Sequence, residues 1–283
     1  MHFLLDEYFQ PALRRIDRRL PETAAADRPA LFAPLPLSIW GVLSLDVPAE
    51  FPNLAAFLPR MPPDALQAAW VGASGARLLQ QSLGFVEAMM RAYRRHGRGR
   101  FADARILDFG CGWGRHLRLL SRFVPVTALH GVDISPEILA LARDLGVKGH
   151  LAQIPERADR LPFAGPYDLI YAFSVLTHLS EAAHRHTLDL WARHLAPGGI
   201  VAVTVRPRAY WTIDPGRPNR AALLDAHDRH GFAFVPHGPE TADYGDTSIS
   251  PAYIQRHWPG WQVLAVDVAL NDPYQTILVL RRA

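Results

Sequence analysis

The 283-residue chain has a single cysteine, Cys111, so no disulfide can form within it and a reducing compartment is its natural setting. Lysine is nearly missing too: Lys148 stands alone among 30 lysines and arginines, and 27 acidic residues leave a net charge of only +3. That balance argues against nucleic acid as a partner, which calls for a concentrated basic surface. The arginine excess reads instead as a compositional bias that also enriches Ala, Gly and Pro. No apolar run approaches the roughly 20 residues that span a bilayer. The opening MHFLLDEYFQPALRR lacks the basic start, apolar middle and small-residue cleavage site of a secretory leader. These absences predict a cytoplasmic protein with no stable membrane association. The rest is ordinary: 49% apolar and 20% charged residues suffice for a large core.

Three regions differ in texture. Over residues 1–20, Leu4, Leu5, Tyr8, Phe9, Ala12, Leu13, Ile16 and Leu20 fall on one helical face, and Arg14, Arg15, Arg18 and Arg19 lie mostly off it. The spacing predicts an amphipathic helix, interrupted by Pro11 and packed on its own domain. Residues 29–63 hold eight prolines, so an irregular connector is expected there. A helical pattern returns from Ala76 to Arg95 and stops at Gly97–Gly99.

After Arg100, β-rich runs alternate with helical stretches. Residues 104–109, 128–134, 147–152, 167–173 and 199–206 read as strands; 113–123, 136–146 and 181–195 read as helices. Such alternation predicts a parallel sheet with crossovers, whose ligands bind beyond the carboxyl ends of its strands. Strands over 261–270 and 275–282 are separated only by NDPY, too short for a crossover, so they must pair antiparallel. The expected fold is α/β: a Rossmann-like, doubly wound, mostly parallel seven-stranded sheet with an antiparallel C-terminal hairpin strand, plus an irregular, partly helical N-terminal extension.

The chemistry concentrates at Asp108-Phe-Gly110-Cys-Gly112-Trp-Gly114, between the first strand and the first helix. Glycines let the backbone approach a ligand closely, and a helix start offers unpaired N–H donors. The G-x-G-x-G spacing is not the G-x-G-x-x-G of dinucleotide binders, which disfavours a dehydrogenase. No Gly-Lys-Ser/Thr follows, and the carboxylate of Asp108 repels phosphate but suits an ammonium group. Asp133 ends the second strand 19 residues after Gly114, where a carboxylate can accept both hydroxyls of a ribose. Ile134 beside it can cover an adenine face.

ILDFGCGWGRHL resembles the first motif of class I S-adenosylmethionine-dependent methyltransferases, and GVDIS their second. LPFAGPYDLIYAFSVLTHL is similar to their fourth-strand motif and LAPGGIVAVTV to the segment entering the fifth strand. The resemblance covers residues 100–206 and implies S-adenosylmethionine as cofactor. It sets Gly110, Cys111 and Gly112 under the methionine moiety, Asp108 near its amino group, Asp133 on the ribose and Phe173 among the cofactor-binding residues. Where many members carry an Asp after the third strand, this chain has Gln153, taken as the substitute near adenine. The resemblance also divides the chain into an extension, 1–75, and a methyltransferase domain, 76–283, with 206–250 as acceptor-site insert.

His178, beyond the fourth strand, is the candidate general base, since an imidazole titrates near neutral pH. His184 and His186 follow on different helix faces, so no metal site is expected with it. Within the insert, Tyr210, Trp211, His227, His230, His237 and the run Asp243–Thr247 can wall an acceptor pocket. DYGDTSISPAYI is similar to a bacterial group linked with polysaccharide and natural-product assembly. The subclass signatures of nucleic-acid amine, cytosine-C5, protein-arginine and metal-assisted methylation are not met. That leaves O-methylation of a hydroxyl on a small molecule or glycan. The alternative is a cofactor-binding but catalytically silent partner module, and a homodimer is open under either.

Overall fold

The computed structural model describes residues 5–268 and 271–283, so Leu4 and the last two residues of the expected strand 261–270 lie outside the described residues. Two compact units emerge: the chain to Met90 with Gly99–Gln153, and Arg91–Arg98 with Ile154–Ala283.

The first unit opens with helices. A π-helical turn, Leu5–Phe9, runs into the helix Gln10–Arg19. Pro11 does not interrupt that helix; it sits in the first turn, where its missing N–H would have had no partner. Leu13, Ile16 and Leu20 are buried and the four arginines exposed, so the apolar face packs within the unit. The proline-rich stretch is also more regular than its composition predicts. Helices Arg28–Leu31, Leu37–Leu45, Pro52–Phe57 and Asp64–Val71 each have a proline at the cap or in the first turn. Prolines here start helices rather than break them. Buried arginines satisfy carbonyls that the prolines leave without local donors. Arg122 donates to the carbonyls of Leu35 and Ala33, both at 2.8 Å. Arg118 donates to those of Pro59 and Arg60. Burial lowers the Arg118 pKa to about 9, which still leaves it charged at neutral pH. The helix Gly75–His96 follows as the periodicity predicts.

Three parallel strands complete this unit: β1 (Ile106–Phe109), β2 (Leu129–Asp133) and β3 (His150–Gln153). β2 pairs with both neighbours, and the register sets Asp133 beside Gln153. The segment after β1 is less helical than expected: only Leu117–Leu120 is α-helix, because left-handed glycines at 110, 112 and 114 delay its start. Ser135 caps the helix Pro136–Asp144 by accepting from Ile138 N.

The second unit contributes β4 (Tyr167–Ala172), β5 (Leu195–Val205), β6 (Phe232–Pro236), β7 (Gly245–Ile249), β8 (Trp261–Val268) and β9 (Thr276–Arg282). β4 and β5 are parallel; β9 runs antiparallel to both β5 and β8. The seven-stranded sheet has the order β3-β2-β1-β4-β5-β9-β8, the expected Rossmann-like class. β1 is buried throughout and β4 nearly so, reading as continuous apolar runs, as strands covered on both faces do. The β6–β7 antiparallel ribbon, inside the 206–250 stretch, was not expected from the sequence. Among the described residues, no helix is long and apolar enough to cross a membrane.

Candidate functional site

The glycine turn is closed by backbone and carboxylate together. Gly110 N and Cys111 N both donate to Val132 O, at 2.8 and 2.9 Å. Gly112 N donates to Asp133 Oδ2 at 2.8 Å, and Ser135 N to Asp133 Oδ1 at 3.1 Å. The Asp133 carboxylate is thereby fixed at the carboxyl end of β2, with lone pairs left on both oxygens. A methyl group added at Gly112 would meet nothing within 4 Å, so open space lies over this turn. Gly114 is different: its added carbon would lie 2.6 Å from Val147 Cγ1, so this glycine serves packing.

The other predicted cofactor residues of the first unit gather here. Asp108 is buried, next to the turn. Ile134 is 45% exposed, an apolar side chain left facing solvent beside Asp133. Gln153 donates through Nε2 to Ile134 O at 3.0 Å, so it braces the β2–β3 edge. Cys111 is buried; burial first, then the Asp108 and Asp133 carboxylates, push its thiol well above the ordinary range. It stays protonated and is no nucleophile. Phe173, half-buried, belongs to the second unit, just beyond β4.

His178 also belongs to the second unit, on the 3-10 turn Leu176–His178 after β4. Its Nδ1 donates to Gly245 O at 2.7 Å, and its Nε2 accepts from Arg206 Nη2 at 3.1 Å. Burial first, then the Arg206 charge, lowers its pKa to about 4. The imidazole is therefore neutral at pH 7, and its one lone pair faces a guanidinium. Tyr244 stacks on it, with ring centroids 5.3 Å apart.

Three residues that sequence reasoning missed, or named without a role, surround this histidine. Asp246, on β7, accepts Arg206 Nη1 on Oδ1 at 2.6 Å and Arg217 Nη1 on Oδ2 at 2.9 Å. Burial alone would raise the Asp246 pKa, but hydrogen bonds from Arg217, Tyr210 and Arg206 and the Arg206 charge outweigh it and bring it to about 2. The guanidinium of Arg206 lies 4.1 Å from the Tyr210 ring centroid. Trp211 and His227 are core residues: Trp211 Nε1 donates to Ser248 Oγ at 2.6 Å, and His227 Nδ1 lies 2.7 Å from that oxygen. His184, buried, bonds through Nε2 to Leu176 O. The usable local signal was Arg206 immediately after β5, where a side chain projects beyond a strand's carboxyl end.

Residues 106–199 match the methyltransferase domain family. Over 104 residues the chain is 40% identical to the trans-aconitate 2-methyltransferase of Methylobacterium nodulans, covering 36% of this chain and 38% of that one. It is 32% identical over 149 residues to the enzyme of the same name from Pseudomonas paraeruginosa, covering 51% and 49%. The chain thus spans less than half the length of these relatives. An S-adenosylmethionine-dependent methyltransferase from Clostridium acetobutylicum shares the fold, with a TM-score of 0.53 over 77% of this chain and 97% of that one at 14% identity. Residues 106–199 thus carry a methyltransferase domain, on the fold that this Clostridium acetobutylicum enzyme shares.

Proposed function

We propose that the chain methylates an oxygen of a small molecule at the expense of S-adenosylmethionine, and that this oxygen belongs to a carboxylate. The observation that carries the first half is the Gly112–Asp133 cradle: a carboxylate pinned by two backbone N–H groups, with open space over the adjacent glycine. These residues fit the cofactor. Asp133 would hold the ribose hydroxyls, Gly110, Cys111 and Gly112 would lie under the methionine moiety, and Asp108 would face its ammonium. Ile134 would cover adenine, with Gln153 at its margin. When bound, the cofactor supplies a methyl group on a sulfonium sulfur.

The second half follows from His178. A hydroxyl acceptor, on a sugar for instance, must lose a proton, and His178 has its basic nitrogen turned to Arg206. A carboxylate needs no base, being ionised at neutral pH. The relatives named for trans-aconitate support an acceptor of this chemistry. His178 then acts as a positioning residue, setting the orientation of Arg206. Turnover also separates this reading from a silent module, which would bind cofactor without transfer.

The test is methyl transfer from labelled S-adenosylmethionine to trans-aconitate, beside a panel of sugars and phenols, between pH 6 and 9. An ester product and a flat pH profile are expected. Methylation of hydroxyl acceptors alone, with a rate rising through an imidazole titration that His178→Gln abolishes, would contradict the carboxylate reading.

A further inference from the structure

Around His178 the second unit carries more positive charge than its own acidic groups balance. Arg206 and Arg217 share the single carboxylate of Asp246, and the other side chains of the cluster are His178, His237, Tyr210 and Tyr244. Arg206 is fixed: its Nη1 also donates to Thr177 O at 2.8 Å, and its side chain is 10% exposed. Arg217 is held more loosely. Its side chain is 23% exposed, it reaches the Tyr210 hydroxyl at 3.3 Å, and it lies 5.2 Å from the Trp211 ring centroid. It belongs to the stretch between the turn Arg208–Thr212 and the helix Arg220–His230, so its guanidinium can shift without moving a strand.

The cluster has to be weighed for a cation and for an anion. His178, His237 and Asp246 present nitrogen and oxygen atoms within 4.8 Å of one another, a spacing that a divalent metal uses. Charge and protons oppose it. Both Asp246 oxygens already accept from guanidinium groups, and the Nδ1 proton of His178 is committed to Gly245 O. A metal ion would meet two arginines; an anion would meet one uncompensated positive charge between aromatic walls. Arginine presents paired N–H donors in the geometry a carboxylate accepts.

We infer that Arg217 is an anion clamp: it binds one carboxylate of the acceptor, with His237 and Tyr244 at the margin of the same subsite. His237 and Tyr244 are 44% and 45% exposed, as a ligand-facing margin requires. The assignment of this anion as the methyl acceptor rests on the function proposed above.

Calorimetric titration of the full chain, saturated with S-adenosylhomocysteine, tests this with trans-aconitate, succinate and Zn2+ as probes. The parent is expected to bind trans-aconitate. Arg217→Gln should weaken that at least about tenfold, as loss of a charge-assisted pair does, and Arg217→Lys should recover part of it. Both variants should keep the parent's S-adenosylhomocysteine affinity, which controls for folding. Equal trans-aconitate affinity in Arg217→Gln overturns the clamp. So does a parent that binds S-adenosylhomocysteine but neither carboxylate, or one that binds Zn2+ in preference to both. Arg217-dependent carboxylate binding without any S-adenosylhomocysteine binding would keep the clamp and sink the methyltransferase reading instead.

Discussion

Gly112 and Gly114 occupy the same turn with the same left-handed backbone, at φ 53° and 79°, yet they do different work. Alanine at Gly112 has room, so Gly112→Ala should cost only about 1 kcal/mol of stability from the backbone conformation. On the assignment proposed above its methyl group would stand where the cofactor binds, and S-adenosylhomocysteine affinity should fall at least about tenfold. Alanine at Gly114 meets Val147 as well, so Gly114→Ala should lose more stability, about 2–4 kcal/mol. Denaturant titration beside calorimetry checks the pair; equal stability losses would contradict the division of roles. This turn was legible in the sequence because its residues are contiguous and each has a local reason. Asp133 was legible because the next strand's end is its only natural place. The Arg206–Asp246–Arg217 cluster was not, since Asp246 lies 40 and 29 residues from its two arginines, and β7 and Tyr210 bring them together.

At the scale of elements, the sequence pattern carried the sheet better than the extension. Apolar strands alternating with helical stretches leave few topologies, and NDPY allows only a hairpin. The β6–β7 ribbon escaped because its β7 strand buries Asp246, Thr247 and Ser248, so polar residues face inward and the alternation that reveals a strand is missing. The N-terminal prolines misled for the opposite reason: their number suggested irregularity, whereas their positions start helices. One contact shows how tightly this region is built. Asp17, buried on the helix Gln10–Arg19, accepts Leu54 N at 2.8 Å and Asn53 Nδ2 at 3.2 Å, capping the helix Pro52–Phe57 from outside. Asp17→Ala should therefore destabilise the protein by about 1–3 kcal/mol, and Asp17→Asn should recover part of the loss. A denaturation midpoint unchanged in Asp17→Ala would show that the cap is dispensable.

For the whole molecule, buried histidines decide the response to acid. Burial is the largest cause lowering the pKa of His130, His178 and His184, each to about 4. The folded state therefore binds fewer protons than the unfolded chain, in which histidine titrates near 6.5. Their stabilisation is complete above pH 6.5 and is lost as the pH falls toward 4. The melting temperature should drop by roughly 5–10 °C between pH 7 and pH 5; a constant value across that interval would mean that these rings are not held neutral. Activity should be flat near neutrality while stability declines below it, because the proposed carboxylate methylation would draw on none of these protons.

Titration of the folded chain with S-adenosylhomocysteine, beside Asp133→Ala, reaches the central claim most directly. The cradle predicts micromolar binding by the parent and a loss of at least about a hundredfold in the variant, two charge-assisted hydrogen bonds being removed. No binding by the folded parent, or equal binding by both proteins, would contradict it.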